Sequence, residues 1–112
     1  MTANEFRKMA LKLPDVQESA HMDHPDFRYV NKIFASLGTQ ESYGMVNLTS
    51  EQQKEFLASH PEAFEPCAGV WGKRGYTKVI LENADKAAVK EALELAWKKV
   101  ASTIRPSSKR KK

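Results

Sequence analysis

The sequence has little of what several protein classes require. Its single cysteine, Cys67, excludes an intramolecular disulfide, and 3 histidines leave few ligands for a metal centre. No uninterrupted apolar run approaches the roughly 20 residues that a membrane-spanning helix needs. Charges break up the apolar positions at the start of the chain, which is untypical of a secretory signal peptide. We therefore expect a cytoplasmic protein that does not associate with a membrane.

The basic charge of the chain is concentrated at its end. The 112 residues include 18 basic and 14 acidic side chains, but five of the basic ones lie in the segment 105–112, RPSSKRKK, which has no acid. The remainder, residues 1–104, holds 13 basic and 14 acidic side chains and is nearly neutral. We expect the tail to be disordered. It would either bind nucleic acid by releasing counterions or serve only as a solubilising end.

Helix and strand patterns follow one another in the first half of the chain. Thr2 and Glu5 have the spacing of a capping box, and a helix is predicted over 3–13. Residues 16–48 then alternate as strands do. Turns are predicted within them at 23–26, near Asn31-Lys32 and at 38–41.

The second half is predicted to hold two helices and a strand. A helix over 51–59 is capped by Thr49 or Ser50, and Ser50 has capping-box spacing to Gln53. The segment 64–71 is irregular and is followed by a β-branched strand. The last helix, about 86–103, has an apolar stripe. Because strands do not alternate with long helices, we predict a two-layer α+β domain over residues 1–104, with helices packed on an antiparallel sheet of about five strands.

The side chains able to perform chemistry do not form a catalytic pattern. His21 and His24 flank a predicted turn, and no matching pair of ligands follows. Cys67 lies in an apolar segment with no recognisable base. Asp23 and Asp26 are interpreted as turn residues. We therefore predict no catalytic residue, no metal site and no cofactor.

Two segments, HPDFRYVNKIFASL at 24–37 and GVWGKRGYTKVIL at 69–81, resemble the MmcQ/YjbR family, and the resemblance extends over almost all of 3–104. It implies the order α-β(3)-α-β(2)-α, in a fold similar to secretion chaperones and to the double-wing arrangement of some DNA-binding domains. It implies no catalytic residue. Arg28 and Lys32 match the family motif. The positions assigned to the motif or to structural roles are His24, Pro25, Phe27, Phe34, Gly69, Trp71, Gly72, Gly75 and Thr77.

Local charge, together with this resemblance, favours a DNA-binding module. The segment 69–79 interleaves cations with aromatic residues and contains no acid, so it could contact phosphates and stack on a base. GVWGKRGYTK would form one wing and the turn near Asn31-Lys32 the other, with Trp71 in a structural role. Binding is expected to be weak or non-specific. The predicted phosphate contacts are Arg28, Lys32, Lys73, Arg74 and Lys78.

Other functions remain open. The chain could be a protein-interaction or chaperone-like module that binds a partner segment at the sheet face or edge, with no nucleic acid. An enzyme or small-molecule binder would need a cleft around His24, Arg28 and Trp71. The segment 69–79 could also be an ordinary polar loop with Trp71 packed beneath it. DNA or a protein is therefore the expected partner, and we expect a monomer rather than a dimer.

Overall fold

The computed structural model describes residues 1–21, 24–38 and 43–104. Predictions for Asp23, for most of the turn at 38–41 and for the tail at 105–112 lie outside these residues. The helices are α1 (Ala3–Leu11), α2 (Ser50–Ser59), α3 (Gly69–Lys73) and α4 (Lys86–Ile104). The strands are β1 (Val16–His21), β2 (His24–Tyr29), β3 (Lys32–Leu37), β4 (Tyr43–Asn47), β5 (Phe64–Pro66) and β6 (Tyr76–Ile80).

The strands form one antiparallel sheet in the order β1-β2-β3-β4-β6-β5. The predicted α+β class and antiparallel sheet are confirmed, with six strands rather than about five. Four strands precede α2, and α3 separates β5 from β6. Of the helices described here, none is long and apolar enough to span a lipid bilayer.

The predicted turn at 23–26 is wrong for its last three residues, which belong to β2. Pro25 lies opposite Ala20 of β1 and beyond the last residue pair between β2 and β3, so its missing N–H removes no bond from that inner ladder. Asp26 is completely buried and accepts hydrogen bonds from the Arg28 guanidinium, which explains a carboxylate within a strand.

The turn between β2 and β3 lies one residue earlier than predicted. Tyr29 pairs with Lys32, and the two residues between them have positive φ, 49° at Val30 and 67° at Asn31. Such a pair forms the two-residue loop whose twist matches that of the flanking strands. Asn adopts this conformation readily, but for a β-branched valine it is strained. The turn therefore presents an exposed Val30 and places Lys32 at the start of β3.

The core lies between the sheet and helices α1 and α4. Phe6 of α1 packs against Phe27 of β2, with ring centroids 6.1 Å apart, and over Gly44, where a side chain would collide with the Phe6 ring. The apolar stripe predicted for α4 is buried over Val89, Leu93, Ala96 and Val100, whereas Trp97 is half-buried and donates to the Pro14 carbonyl at 3.1 Å.

Helix ends follow local capping rules. The capping box of Thr2 and Glu5 is confirmed, and α1 ends at Leu11 rather than residue 13. In α2 the box is formed by Thr49 and Gln52, not by Ser50 and Gln53. The helix thus begins one residue earlier than predicted, which frees the Gln53 side chain to face the interior, where it is 7% exposed.

Two glycines with positive φ make a matched test of the close contact between Gly75, which precedes β6, and Leu48, which follows β4. At Gly75 (φ 105°) a Cβ would collide with the Leu48 carbonyl, whereas at Gly69 (φ 68°) it would meet nothing within 4 Å. Gly69→Ala adds only backbone strain, about 1 kcal/mol. Gly75→Ala adds the collision as well and should cost roughly 3 kcal/mol or more of unfolding free energy. Urea denaturation measures both, and equal losses would contradict the structure.

Candidate nucleic-acid interface

The β2–β3 turn, the start of β6 and the last turns of α4 meet at one end of the sheet. Asn47 of β4 pairs with Tyr76 of β6, and the Leu48 N–H donates to the Gly75 carbonyl at 3.2 Å. A groove of about 390 Å³ lies there. Its lining residues are Asn31, Lys32, Ile33, Asn47, Tyr76, Lys99, Val100 and Thr103. We call this groove, together with Lys73 and Arg74, the basic end.

Lys99 is the cation that α4 contributes to the groove. Its Nζ donates to Asn47 Oδ1 and to the Leu48 carbonyl, each at 2.8 Å, and so ties α4 to the end of β4. Both acceptors are neutral. Partial burial lowers the pKa of Lys99 below its ordinary value, because desolvation penalises the charged form.

Helix α3 exposes an aromatic and cationic surface beside the groove. Trp71 is 52% exposed and Val70 55% exposed. The Trp71 ring meets Tyr76 edge-on, with centroids 5.2 Å apart, and the Arg74 guanidinium lies 5.7 Å from the Trp71 centroid. This arrangement fixes the orientation of the Trp71 ring while leaving about half of its surface open.

A buried carboxamide fixes the position of α3. Gln53 Nε2 lies 3.0 Å from the carbonyls of Gly72 and Tyr76 and 3.2 Å from Thr77 Oγ1. The Thr77 hydroxyl donates to the Gly75 carbonyl at 2.8 Å. These bonds span α2, the end of α3 and the first residues of β6, so that the exposed face of α3 is held on a rigid support.

Comparison with known proteins agrees with this architecture. A family model described as YjbR matches residues 11–99. The chain belongs to the YjbR family. A similar fold occurs in the crystal structure of a Deinococcus radiodurans protein with a DUF419 domain, which is 19% identical, with a TM-score of 0.73 over 96% of this chain and 83% of that one. No curated protein gave a significant match.

Most positions assigned to the YjbR motif serve packing in this chain. Phe27 and Phe34 are completely buried. Gly72 lies where a Cβ would collide with the Cys67 carbonyl, Gly75 meets Leu48 in the same way, and Thr77 is buried in the Gln53 network. His24 and Pro25 are half-buried at the start of β2. Gly69 supplies a positive φ at the first residue of α3.

Trp71 is the exception, and its predicted structural role needs correction. With half of its surface exposed, the ring is not packed beneath a loop. The predicted wing at GVWGKRGYTK is also wrong, because residues 69–73 form helix α3 and only Arg74-Gly75 turn into β6. The Arg74 N–H bonds to the Val70 and Trp71 carbonyls close the short helix.

The five predicted phosphate contacts separate into two groups. Lys32, Lys73 and Arg74 belong to the basic end. Arg28 instead makes a bidentate pair with buried Asp26, at 2.7 and 3.1 Å, and this hydrogen bonding raises its pKa.

Lys78, the fifth of these residues, lies in the middle of β6. Its Nζ is 3.5 Å from Glu65 Oε1 and 4.5 Å from the Tyr43 ring centroid. Like Arg28, it is engaged in contacts within the sheet, which leaves it less suited to bind phosphate.

His24, Arg28 and Trp71 do not form the cleft that an enzyme or small-molecule binder would need there. His24 and Arg28 lie on β2, and Trp71 precedes β6, with β3 and β4 between them in the sheet. Cys67 is half-buried, and desolvation raises the pKa of its thiol, which disfavours the nucleophilic thiolate. Within the described part of the chain, no three metal-ligating side chains cluster.

Sequence reasoning missed two residues of this region, Lys99 and Gln53. Lys99 lies between the stripe residues Ala96 and Val100 and therefore points partly inward on α4. Gln53 precedes Phe56 by three residues, on the inward side of α2. Both residues could have been found from the sequence, because each is a polar residue at a helical position that faces inward.

Gln53→Met tests whether the carboxamide holds α3. The substitution keeps a similar volume but removes the donor to Gly72, Tyr76 and Thr77, so we expect a loss of about 1–3 kcal/mol in urea denaturation. Lys54→Met, at the next and exposed position, should stay within about 0.5 kcal/mol of the unsubstituted protein. Similar losses for the two variants would mean that the bonds to Gln53 contribute nothing.

Proposed function

We propose that the chain is a non-catalytic DNA-binding module that uses the basic end and binds weakly, without marked sequence preference. One observation carries the proposal. Three separate parts of the chain bring Lys32, the pair Lys73-Arg74 and Lys99 to the same end of the sheet. Among the residues that the structure describes, no carboxylate lines the groove to which Lys32 and Lys99 belong. Cations gathered from separate elements suit a phosphate backbone.

These cations are available to an external anion. Among the described residues, Lys32, Lys73 and Arg74 have no carboxylate within ion-pair distance, whereas Arg7, Lys78 and Lys86 are each paired with a glutamate. Pairing would have to be broken before a phosphate could bind, and at the basic end that cost is absent.

The exposed Trp71 supports a preference for single-stranded over duplex DNA. Its ring is held edge-on by Tyr76 with Arg74 beside it, a combination that suits stacking on an unpaired base. Duplex DNA keeps its bases stacked and offers only the backbone. We therefore propose that single strands bind more tightly than duplexes.

The double substitution Lys73→Gln with Arg74→Gln tests the phosphate contacts. Fluorescence anisotropy with labelled oligothymidylate gives the slope of log affinity against log salt, which should become shallower by about 2 × 0.7 when two cations are removed. Lys8→Gln with Lys90→Gln, two exposed cations outside the basic end, is the matched control and should leave the slope unchanged.

The tail 105–112 requires its own control, because it is basic and could bind DNA alone. In the full chain, glutamine replaces Lys109, Arg110, Lys111 and Lys112. If this variant no longer binds while the unsubstituted protein does, the tail is responsible and the proposed function of the domain is wrong.

Trp71→Ala tests stacking. Loss of one stacked base should weaken binding to single strands by about 1–3 kcal/mol, with little change for duplexes. Trp71→Phe retains a ring and should lose less. Val70→Ala removes an equally exposed apolar side chain of α3 and should leave DNA affinity unchanged. Equal losses for Val70→Ala and Trp71→Ala would contradict stacking.

A protein-interaction module is the second candidate, favoured by the exposed apolar pair Val70 and Trp71 on one short helix. An aromatic side chain such as Trp71 is typical of the residues that anchor protein interfaces. Static light scattering over a range of protein concentrations distinguishes the candidates. Self-association that persists at high salt and is abolished by Val70→Ser would favour the protein interface.

A further inference from the structure

The ammonium group of Lys99 is incompletely satisfied within the protein. It carries three N–H donors, and two of them go to Asn47 Oδ1 and the Leu48 carbonyl. Both acceptors are neutral, and no described carboxylate lies within ion-pair distance of this cation. A charge partly withdrawn from water and lacking a counterion is unfavourable, and the lowered pKa of Lys99 expresses that cost.

The groove around Lys99 offers what a small anion needs. Lys32 at the start of β3 supplies a second ammonium, and Asn31 and Asn47 contribute amides to the lining. The volume of about 390 Å³ far exceeds the roughly 10–15 Å³ of cavity that is needed to hold one water molecule. A lining that holds two cations and, within the described part of the chain, no acid matches an anion with more than one charge.

We propose that this groove is a binding site for a phosphate group, with Lys99 and Lys32 as its cationic ligands. Lysine binds phosphate as a point charge and imposes no planar geometry, so that a tetrahedral anion can accept bonds from two ammonium groups on different elements. A monocarboxylate carries one charge and would leave one of the two cations uncompensated. The phosphate could come from free phosphate or from the 5′ end of a strand, and the chemistry of the site is the same for both.

The phosphate site shares its location with the proposed DNA surface. Only the assignment of the phosphate to the 5′ end of a strand rests on that proposed function. Binding of inorganic phosphate requires Lys99 and Lys32 but neither Trp71 nor Arg74. The proposed DNA binding depends in addition on Lys73, Arg74 and Trp71, which the binding of inorganic phosphate does not involve. Either proposal can therefore fail while the other stands.

The first experiment titrates inorganic phosphate into the full chain at constant ionic strength and follows backbone amides by NMR. We expect saturable shifts at Asn47, Tyr76 and Thr103, with a Kd on the order of 1 mM for two charge-assisted contacts. The pKa of Lys99, read from its side-chain resonances, should rise on binding, because a nearby anion favours the charged form. Shifts that do not saturate, or that are confined to the tail 105–112, would overturn the site.

Substitutions separate binding from a purely structural role of Lys99. Lys99→Met should weaken phosphate binding at least about tenfold, and Lys32→Met, at an exposed position where folding is not at risk, about threefold. Lys98→Met is the matched control, exposed and outside the groove, and should bind as the unsubstituted protein does. If Lys99→Met does not fold, the phosphate affinity of Lys32→Met and the positions of the amide shifts decide whether the groove binds phosphate. Unchanged affinity in Lys32→Met together with an unmoved Lys99 pKa would leave Lys99 with a structural role only.

The final arm identifies the source of the phosphate. Oligothymidylate with a 5′-terminal phosphate is compared with the same strand lacking it. A tighter complex for the phosphorylated strand, lost in Lys99→Met and retained in Lys98→Met, assigns the groove to a strand end. Equal affinity of the two strands, with binding of inorganic phosphate intact, assigns it to the free anion.

Discussion

The arrangement of the basic end depends on the hydrogen bonds that the buried Gln53 carboxamide donates. A helix of five residues has too few internal hydrogen bonds to persist alone, and α3 begins and ends near glycines. The bonds from Gln53 to the Gly72 and Tyr76 carbonyls join this short helix to α2 and to the start of β6. Because one side chain holds both the end of α3 and the start of β6, Trp71 can be exposed and still keep a defined orientation.

The need to hold α3 and the start of β6 against the domain also explains why so many residues of the family motif face inward. Close contacts of Gly72 with Cys67 and of Gly75 with Leu48 bring the connection against the domain, and Thr77 completes the polar network beneath it. The pair of buried Asp26 with the partly exposed Arg28 stabilises β2 in a comparable way. A motif rich in such residues describes a scaffold, and the exposed surface it carries can differ in charge without changing the fold.

Local rules were sufficient where the chain forms regular elements. The capping box of Thr2 with Glu5 and the stripe of α4 were predictable because each depends on residues within one or two turns. The extent of β2 was not, since Pro25 and Asp26 have turn chemistry and only the tertiary pairing with Arg28 explains a buried carboxylate. Helix α3 is shorter than two turns and shows no period. The groove combines side chains from β3, β4, β6 and α4, a set that no sequence window contains.

The two edge strands of the sheet, β5 and β1, each have features that discourage pairing with a strand of another molecule. Edge strand β5 has only three residues and ends in Pro66, which has no N–H to offer a neighbouring chain. The other edge, β1, is polar, and its Glu18 is paired with Arg7 across its surface. Short, proline-ended and charged edges are poor templates for adding a strand from another molecule. The sheet can therefore remain open at both edges without promoting the edge-to-edge polymerisation to which exposed strands are otherwise prone.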